Sequence, residues 1–290
     1  MKHLFSVIAL VALLFATSCT KSEIKSNTTS TRALLVLSTP INTADGPTSV
    51  SSGTCTFTID NVQKQMDVLM DMSFSDKMPK SKFYLKGITT SYPATNVMEF
   101  TANQLTPTDE SGKAISGYTI INMKGIIDDN QNIAHITFQV RTASAPYQVV
   151  LTTKKILSAL PDNACDYSSA TTAYCEFQLK TPKTDSITTN LYMHNVKFAD
   201  KMPTQTKIGI PGIKVTPQAN GFKLTADSIT PDSYDSQGNA TPMTSRKVSN
   251  FKGELDLVNG TYSVEFNCFG IDYKSSQDLN KLMTTLRVKK

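Results

Sequence analysis

Few side chains in this sequence are suited to acid–base or metal chemistry. Of its 290 residues only three are His and none is Trp, and His3 lies in a segment that we expect to be removed. The chain contains no G-x-S-x-G, H-E-x-x-H, phosphate-loop or dinucleotide-binding glycine pattern. No motif places a nucleophile beside a base. We therefore expect no catalytic residues, no metal ion and no cofactor, and we predict that the protein is not an enzyme.

Two acidic segments have a superficial likeness to calcium-binding loops. Asp232, Asp235, Gln237 and Gly238 lack the closing acidic residue and the regular alternation that such a loop needs. The same is true of residues 128–130, which read Asp-Asp-Asn. Gly, Asn and Asp favour turns, so we predict a hairpin turn in both places.

The N-terminus has the layout of an export signal. Lys2 and His3 give a positive start, residues 4–16 are apolar, and small residues precede Cys19. The apolar run is too short to span a bilayer, which is typical of a secretory signal peptide. The sequence ATSC at 16–19 resembles the lipobox of bacterial lipoproteins. This resemblance implies that Cys19 is acylated, becomes the mature N-terminus and holds the protein in the membrane.

We accordingly predict a signal peptide at 1–18 and an outer-membrane lipoprotein of the cell envelope, on either the periplasmic or the surface face. Residues 19–53 are expected to be the lipidated Cys and a flexible tether, because Ser, Thr, Lys, Asn and Gly dominate them. One stretch within this tether, ALLVL at 33–37, is apolar enough to be a strand.

An internal repeat organises the rest of the chain. FSDKMP at 74–79 returns as FADKMP 124 residues later, CTFTI at 55–59 returns as CEFQL after 120 residues, and INMKG at 121–125 returns as SNFKG after 128. Collinear blocks at nearly one offset indicate a duplicated domain. We place the copies at 54–158 and 174–290, joined by a connector at 159–173.

Each copy has the hydrophobic alternation of antiparallel β-strands. Met66, Val68, Met70 and Met72 alternate with mostly polar residues, as in a strand with one buried face. Pro, Gly, Asn and Asp interrupt such runs at intervals of roughly ten residues, which favours short strands joined by turns. We predict an all-β protein of two tandem antiparallel β-barrels or barrel-like sandwiches.

The repeated blocks also resemble those of a known family. The FxDKMP segment, with IPGI at 210–213 and NFKGEL at 250–255 in the second copy, resembles the calycin-like (lipocalin-like) β-barrel lipoproteins of Bacteroidota. The first copy departs from this pattern, with LKGI at 85–88 in place of IPGI. The resemblance implies two small closed or nearly closed barrels and supplies no catalytic residues.

Candidate ligand-binding residues follow from the repeat. The 124-residue offset pairs His194 with Met70, which predicts that both face the inside of a barrel, together with Tyr192 and Met72. Polar tips in an apolar interior orient a ligand, so these four residues are our candidates for ligand binding. The alternative for His194 is a hydrogen-bonded histidine of the core or the barrel mouth. His135, beside polar turn residues, is expected to be exposed.

Four Cys remain after acylation of Cys19. Cys55, Cys175 and Cys268 share inward-facing rows with aromatic and aliphatic residues, and we expect them to act as small core side chains. Cys165 lies in the connector, and a Cys55–Cys165 disulfide stays open as an alternative in an export compartment.

Charge and composition limit the partners. The net charge of +5 is small and evenly spread, so we expect no nucleic-acid binding, and we expect a monomer. The first functional hypothesis is a non-enzymatic, outer-membrane-anchored protein whose barrels bind a small apolar or amphipathic ligand. The alternative is a structural or adhesive surface protein similar to fimbrillins, because Arg32-Ala33 ahead of an apolar stretch resembles their maturation site.

Overall fold

The computed structural model describes residues 27–41, 49–74, 81–142, 146–158, 172–179, 187–198 and 201–278. The predicted signal peptide, Cys19, Cys165 and the repeated Asp-Lys-Met-Pro segments fall wholly or partly outside these ranges. Within them every regular element is a β-strand, so the prediction of an all-β protein is confirmed.

The first eight strands form a closed antiparallel barrel in sequence order. Their bounds are β1 Asn27–Pro40, β2 Ser49–Asp60, β3 Gln65–Asp71, β4 Lys82–Ala94, β5 Val97–Leu105, β6 Tyr118–Asp128, β7 Ile133–Thr142 and β8 Pro146–Thr152. Strand β1 pairs with β2 along most of its length and with β8 through its second half, and this double pairing closes the barrel.

The remaining ten strands form a curled half-barrel that we call the second sheet. They are β9 Lys155–Ser158, β10 Thr172–Leu179, β11 Ile187–Val196, β12 Gln205–Gln218, β13 Gly221–Ile229, β14 Asp232–Tyr234, β15 Ala240–Pro242, β16 Val248–Asp256, β17 Thr261–Cys268 and β18 Ile271–Asp278. The order is β18-β17-β16-β13-β12-β11-β10-β9, with β14 also paired to β12 and β15 to β14. We expected two closed or nearly closed barrels, or barrel-like sandwiches. The first unit is a closed barrel and the second is a curled half-barrel.

Aromatic side chains fill the barrel interior. Phe74 packs edge-on against Phe83 and Phe138, with ring centroids 5.7 and 5.2 Å apart, and Phe83 packs against Tyr118 at 5.6 Å. Gly125 makes room for Phe100, because a side chain at position 125 would overlap that ring. Close edge-to-face packing of this kind stabilises a core beyond simple burial.

The expected tether from 19 to 53 is wrong for the part that the structure describes. Residues 27–40 are β1, and residues 49–53 begin β2. The reason lies in the apolar run, because β1 is buried on both faces from Leu34 to Leu37. A strand that is apolar on both faces must lie between two cores.

The outer face of β1 and its neighbours provides part of the core of the second sheet. Leu34 and Val36 point into the barrel, whereas Leu35 and Leu37 belong to the apolar cluster of the second sheet. Val50 and Val150, which pair with Leu37, belong to that same cluster. The wall of the first barrel thus covers apolar side chains that the half-barrel cannot enclose alone.

His135 adds a polar contact to this junction. Its Nε2 lies 2.8 Å from the carbonyl oxygen of Leu257, in the turn after β16, and donates a hydrogen bond to it. The side chain is partly buried, so the expectation that His135 is exposed is wrong. Burial lowers the pKa of His135, and the bond to the Leu257 carbonyl partly opposes that shift.

Candidate functional site

The four candidate ligand-binding residues do not come together. Met70 and Met72 lie in the barrel core with 0% and 3% of their surface exposed. Tyr192 and His194 lie on the outer face of the second sheet and are partly exposed, whereas the alternating residues Leu191 and Met193 point inward. The prediction that His194 faces a barrel interior is therefore wrong.

A local irregularity explains this inversion. Cys55 pairs with Met70 in the barrel, and Cys175 pairs with Leu191 in the second sheet. The residue equivalent to Met70 is therefore Leu191, and not His194 as the 124-residue offset predicted. After His194, Asn195 has a positive φ of 51°, and the inward positions resume at Val196. One residue in the left-handed region breaks the two-residue period of inward side chains, although β11 and β12 stay in register across it.

The outer face around His194 carries a row of tyrosines and lysines, which we call the tyrosine–lysine strip. Tyr174 and Tyr192 are direct neighbours across β10 and β11, with ring centroids 5.1 Å apart. Tyr234 of β14 packs edge-on against Tyr192 at 6.0 Å. The complete strip consists of Lys155, Tyr174, Tyr192, His194, Lys207 and Tyr234.

Gly209 leaves room for the rings of Tyr192 and Tyr234 to contact each other. Gly209 lies in β12 and pairs with Tyr192 of β11. A Cβ atom at position 209 would lie 3.0 Å from the Tyr234 ring and 3.1 Å from the Tyr192 ring. Both contacts are tighter than side chains normally accept. The glycine therefore leaves the space in which the two rings approach each other.

The lysines of the strip are held over its rings. The Lys207 ammonium lies 4.3 Å from the ring centroids of both Tyr192 and Tyr234, and the Lys155 ammonium lies 4.6 Å from that of Tyr174. Each such cation–π contact at a partly exposed site is worth about 0.5–1 kcal/mol. These contacts favour side-chain conformations in which the two ammonium groups stay close to the rings.

His194 lies in the field of these two charges. Its ring stacks on Tyr174 at 5.9 Å, and its backbone pairs with that of Lys207. Desolvation lowers the pKa of His194, and the positive charges of Lys207 and Lys155 lower it further. The ring is therefore mostly neutral at pH 7.

A groove adjoins the strip where the barrel meets the second sheet. Its volume is about 690 Å³, and Lys155 and Tyr174 line both the groove and the strip. The other lining residues are Ser30, Thr31, Arg32, Ala33, Asn132, Thr153, Lys154 and Glu176. We call it the junction groove.

Arg32 is the most buried charge of the junction groove, with 12% of its side chain exposed. One terminal nitrogen donates to Asn132 Oδ1 at 2.8 Å, and the other pairs with the carboxylate of Asp129. Among the described residues its buried Nε has no hydrogen-bond partner. An unsatisfied buried donor costs about 1–3 kcal/mol. Because the Nε atom is buried, a ligand in the groove does not reach it unless the Arg32 side chain moves.

A second groove of about 550 Å³ lies over β13, β16, β17 and β18. Its charges alternate across the strands, with Lys223 opposite Glu254 and Lys252 opposite Glu265. Lys274 forms an exposed ion pair with Glu265 at 3.6 Å. Alternating, mutually compensated charges of this kind are typical of a solvated sheet face.

The described residues offer no cluster of three or more His, Cys, Asp or Glu that could hold a metal ion. Asp235 instead accepts the backbone N–H groups of Gln237 and Asn239 at 2.9 and 2.8 Å, so the calcium-like segment is the hairpin turn that we predicted. No helix in the described ranges is long and apolar enough to cross a membrane.

The three described cysteines are free and buried, as the sequence predicted. Burial raises the thiol pKa of Cys55 and Cys175 to about 12 and that of Cys268 to about 11. Such thiols are unreactive while the fold is closed.

Comparison with known proteins assigns no activity to this surface. No protein-family model matches the chain, and no curated protein matches it. The chain is similar to a crystal structure from Bacteroides fragilis that is provisionally described as an outer membrane protein. The two are 14% identical over 85% of this chain and 95% of that one, with a TM-score of 0.28.

Proposed function

We propose that the protein is a non-enzymatic, membrane-anchored binding protein of the bacterial outer membrane that captures an anionic ligand on the tyrosine–lysine strip. One observation carries the proposal: the ammonium groups of Lys155 and Lys207 are held over tyrosine rings on the two sides of His194. Ring contacts keep two ammonium groups close together on one surface, which favours the binding of a negative charge there.

Fixing the charges before binding matters for affinity. Ordering a flexible side chain on association costs about 0.5–1.5 kcal/mol, and the cation–π contacts have already met part of that cost. The tyrosines add hydroxyl groups and ring edges beside the charges. The strip therefore suits a ligand that combines negative groups with hydrogen-bonding groups.

A ligand inside the first barrel receives less support. The candidate residues Met70 and Met72 are packed among the core side chains of that barrel. Their flexible thioethers fit the role of core filling, which is the ordinary use of buried methionine.

The proposed anchor at Cys19 would hold the barrel close to the bilayer. Strand β1 begins at Asn27, so only residues 19–26 separate the lipid from the fold. Eight residues span at most about 28 Å when fully extended. The ligand would then be captured near the membrane surface and not at the end of a long tether.

The test uses the mature chain with Cys19 replaced by Ser, and affinity electrophoresis through gels that contain polygalacturonate, heparin or neutral dextran. We expect retardation by at least one of the two anionic polymers and none by dextran. Lys207→Gln and Lys155→Gln should each weaken the interaction about two- to fivefold, which corresponds to the loss of one exposed ionic contact.

Lys223→Gln is the matched control, because Lys223 is an exposed lysine of the same sheet that lies outside the strip. It should bind like the parent protein. Passage of the parent through both anionic gels without retardation, or an equal loss in the Lys223 variant, would overturn the proposal.

A further inference from the structure

We infer that one end of the first barrel docks on the lipid bilayer, with the side chains of Val62 and Tyr92 in contact with lipid. We call this end the anchor-side tip. It consists of residues 60–64, which include the turn between β2 and β3, and residues 91–96, which include the turn between β4 and β5. The inference rests on the anchor at Cys19 that the proposed function includes, but not on anion binding by the tyrosine–lysine strip.

The chain enters the barrel beside this tip. Asn27, the first residue of β1, pairs with Asp60, the last residue of β2, and Val62 lies two residues further along the chain. Residues 19–26 span at most about 28 Å, so a lipid on Cys19 would hold the tip within that distance of the membrane. The opposite end of the barrel has no such restraint from the anchor.

Hydrogen bonds join the two turns of the tip into one surface. The backbone N–H of Thr90 donates to the carbonyl oxygen of Lys64 at 2.9 Å. The hydroxyl group of Tyr92 donates to Oδ1 of Asn61 at 3.3 Å. Val62 follows Asn61 directly, so the valine and the tyrosine ring belong to the same small patch of surface.

This patch is unusually apolar for the exposed surface of the molecule. Within the described ranges three large apolar side chains are exposed, namely Val62 at 72%, Tyr92 at 46% and Phe269 at 60%. Single exposed apolar residues are common on proteins and need no explanation. Two of these three, however, lie together at the end of the barrel where the chain from Cys19 enters.

The β2–β3 turn holds Val62 outward. The carboxylate of Asp60 accepts the backbone N–H groups of Val62 and Gln63, both at 2.9 Å. Lys64 closes the turn with a positive φ of 53°. Turns of this kind ordinarily consist of polar residues, because the side chains project into water. The tip thus presents a β-branched apolar side chain on a backbone that is already ordered.

The charges at this end fit a bilayer of neutral headgroups. Asp60 and Lys64 are the only charged residues of the tip, so its net charge is close to zero. In the adjacent β6–β7 turn, Asp128 is buried and Asp129 forms an ion pair with Arg32. Contact with a zwitterionic phospholipid therefore requires neither the stripping of an unpaired charge nor an anionic lipid.

The small size of the patch favours lipid over a protein partner. A specific protein interface buries about 1,200–2,000 Å² around an apolar centre, which two side chains do not supply. A tethered surface needs much less intrinsic affinity, because a short linker keeps the two surfaces at a high effective concentration. Tyrosine is also well suited to a membrane surface, where its ring contacts apolar groups and its hydroxyl stays hydrated.

The experiment uses the mature chain with Cys165 replaced by Ser, coupled through the Cys19 thiol to a maleimide lipid in phosphatidylcholine vesicles. The three buried thiols do not compete, because burial raises their pKa values. The sequence contains no Trp, so a single introduced Trp is the only indole in the protein. Its fluorescence is compared in vesicles with and without phosphatidylcholine brominated near the glycerol end of its acyl chains, which quenches a Trp that contacts lipid.

Val62→Trp and Tyr92→Trp report on the tip, and Lys113→Trp is the matched control. Lys113 is exposed and lies between β5 and β6, at the opposite end of the barrel, because β5 runs away from the β4–β5 turn. We expect bromolipid to quench both tip positions at least twofold more than position 113. In the Val62→Trp protein, Tyr92→Ser should reduce the quenching, whereas Lys113→Gln should not.

The outcomes test the inference directly. All three reporter positions are exposed, and a thermal melt confirms that each variant is folded. Equal quenching at the three positions, or none at both tip positions, refutes docking through the tip. Quenching that appears only when anionic lipid is added refutes the apolar contact, because charge would then be the cause.

Failure of this inference is distinguishable from failure of the proposed function. Chemical coupling supplies the anchor, so the quenching does not depend on the strip or on acylation in the cell. Lost retardation in the anionic gels with quenching intact refutes only the anion-binding strip. Absence of palmitate labelling at Cys19 in the cell would refute the premise of both, since no natural anchor would then bring the tip to the membrane.

Discussion

Replacing Leu37 with alanine should loosen the second sheet more than the barrel to which Leu37 belongs. Leu34 and Leu37 lie on the same strand, and each has 2% of its surface exposed. They point in opposite directions, Leu34 into the barrel core and Leu37 into the core of the second sheet. The two substitutions therefore remove the same atoms from two different cores, and each controls for the other.

The size of the effect follows from burial. Truncation of a fully buried leucine to alanine typically costs about 2–5 kcal/mol. If that energy is lost from one core, the population of open molecules in that core rises between about thirtyfold and a few thousandfold, at about 1.4 kcal/mol for each factor of ten. The core on the other side of β1 should change much less.

The buried thiols provide the assay. Cys55 lies in the barrel core, and Cys175 and Cys268 lie in the core of the second sheet. Their raised pKa values, about 12 for Cys55 and Cys175, make labelling depend on opening of the fold. With Cys19 and Cys165 changed to Ser, the labelling rate of each thiol is followed by peptide mass spectrometry.

We expect Leu37→Ala to accelerate labelling of Cys175 and Cys268 at least tenfold more than that of Cys55, and Leu34→Ala to do the reverse. Equal acceleration of all three thiols by both substitutions would refute the reasoning, because β1 would then lie within one cooperative core. Selective exposure of Cys55 by Leu37→Ala would show that the strand faces are assigned the wrong way round.

Three further predictions concern histidines and a glycine. Because the pKa of His135 is lowered in the folded protein, the unfolded chain binds its proton more readily. The free energy of unfolding should therefore fall as the pH drops below about 6.5. In denaturant titrations, His135→Gln should remove this contribution to the dependence of unfolding free energy on pH. The pKa of His194 is also lowered, so its ring gains a positive charge only as the pH falls below about 6.5. Acidification should then strengthen binding to polygalacturonate, and His194→Gln should abolish that increase. Gly209→Ala should push the Tyr192 and Tyr234 rings apart and weaken binding to polygalacturonate several-fold in affinity electrophoresis. Gly270→Ala, in the turn between β17 and β18 of the same sheet, should alter stability but not binding, because Gly270 lies outside the hairpin that carries Tyr234.

Local alternation was sufficient to predict much of the fold. The sequence CTFTI at 55–59 places Cys55 and Phe57 on one face, and both have 0% of their surface exposed. The equivalent segment from Cys175 gives the same result. Side chains of one short strand share a fixed period of two, so the inward row follows directly from the residue types.

The same rule failed across a longer distance. The repeat offset changes from 120 residues at Cys175 to 124 at Phe198, so extra residues lie between these two points. The backbone absorbs one of them at Asn195, whose positive φ inverts the alternation. Asn accepts the left-handed region more readily than most residues, but its presence alone does not show that it adopts it. The inward or outward direction of His194 was therefore beyond sequence reasoning.

The sequence predicted that part of β1 is a strand, but not that it lies between two cores. The apolar run at 33–37 predicted a strand, but its polar surroundings suggested a tether. A run that is apolar on both faces needs two cores, and the second core belongs to a sheet that begins more than a hundred residues later. Pairing at such sequence separation leaves no local signal.

The two copies of the repeat differ in a way that explains where the strip lies. Matching the paired residues around Cys55 and Cys175 places Tyr174 at the position of Thr54, and Tyr192 at the position of Asp71. Thr54 and Asp71 pair with each other on the outer face of the barrel, just as Tyr174 and Tyr192 do on the second sheet. The first copy thus has a hydroxyl and a carboxylate where the second has two aromatic rings.

The same match places Lys155 at the position of Thr31. Arg32 pairs with Cys55 in the first copy and Ile156 pairs with Cys175 in the second, and Thr31 and Lys155 each precede these residues by one. The barrel therefore lacks the ring face and the ammonium group of the strip at the corresponding place, and its Asp71 would repel an anion. A duplicated scaffold would then have divided its roles. The closed copy contributes its outer wall to the shared core and Arg32 to the junction groove, while the open copy presents the binding surface.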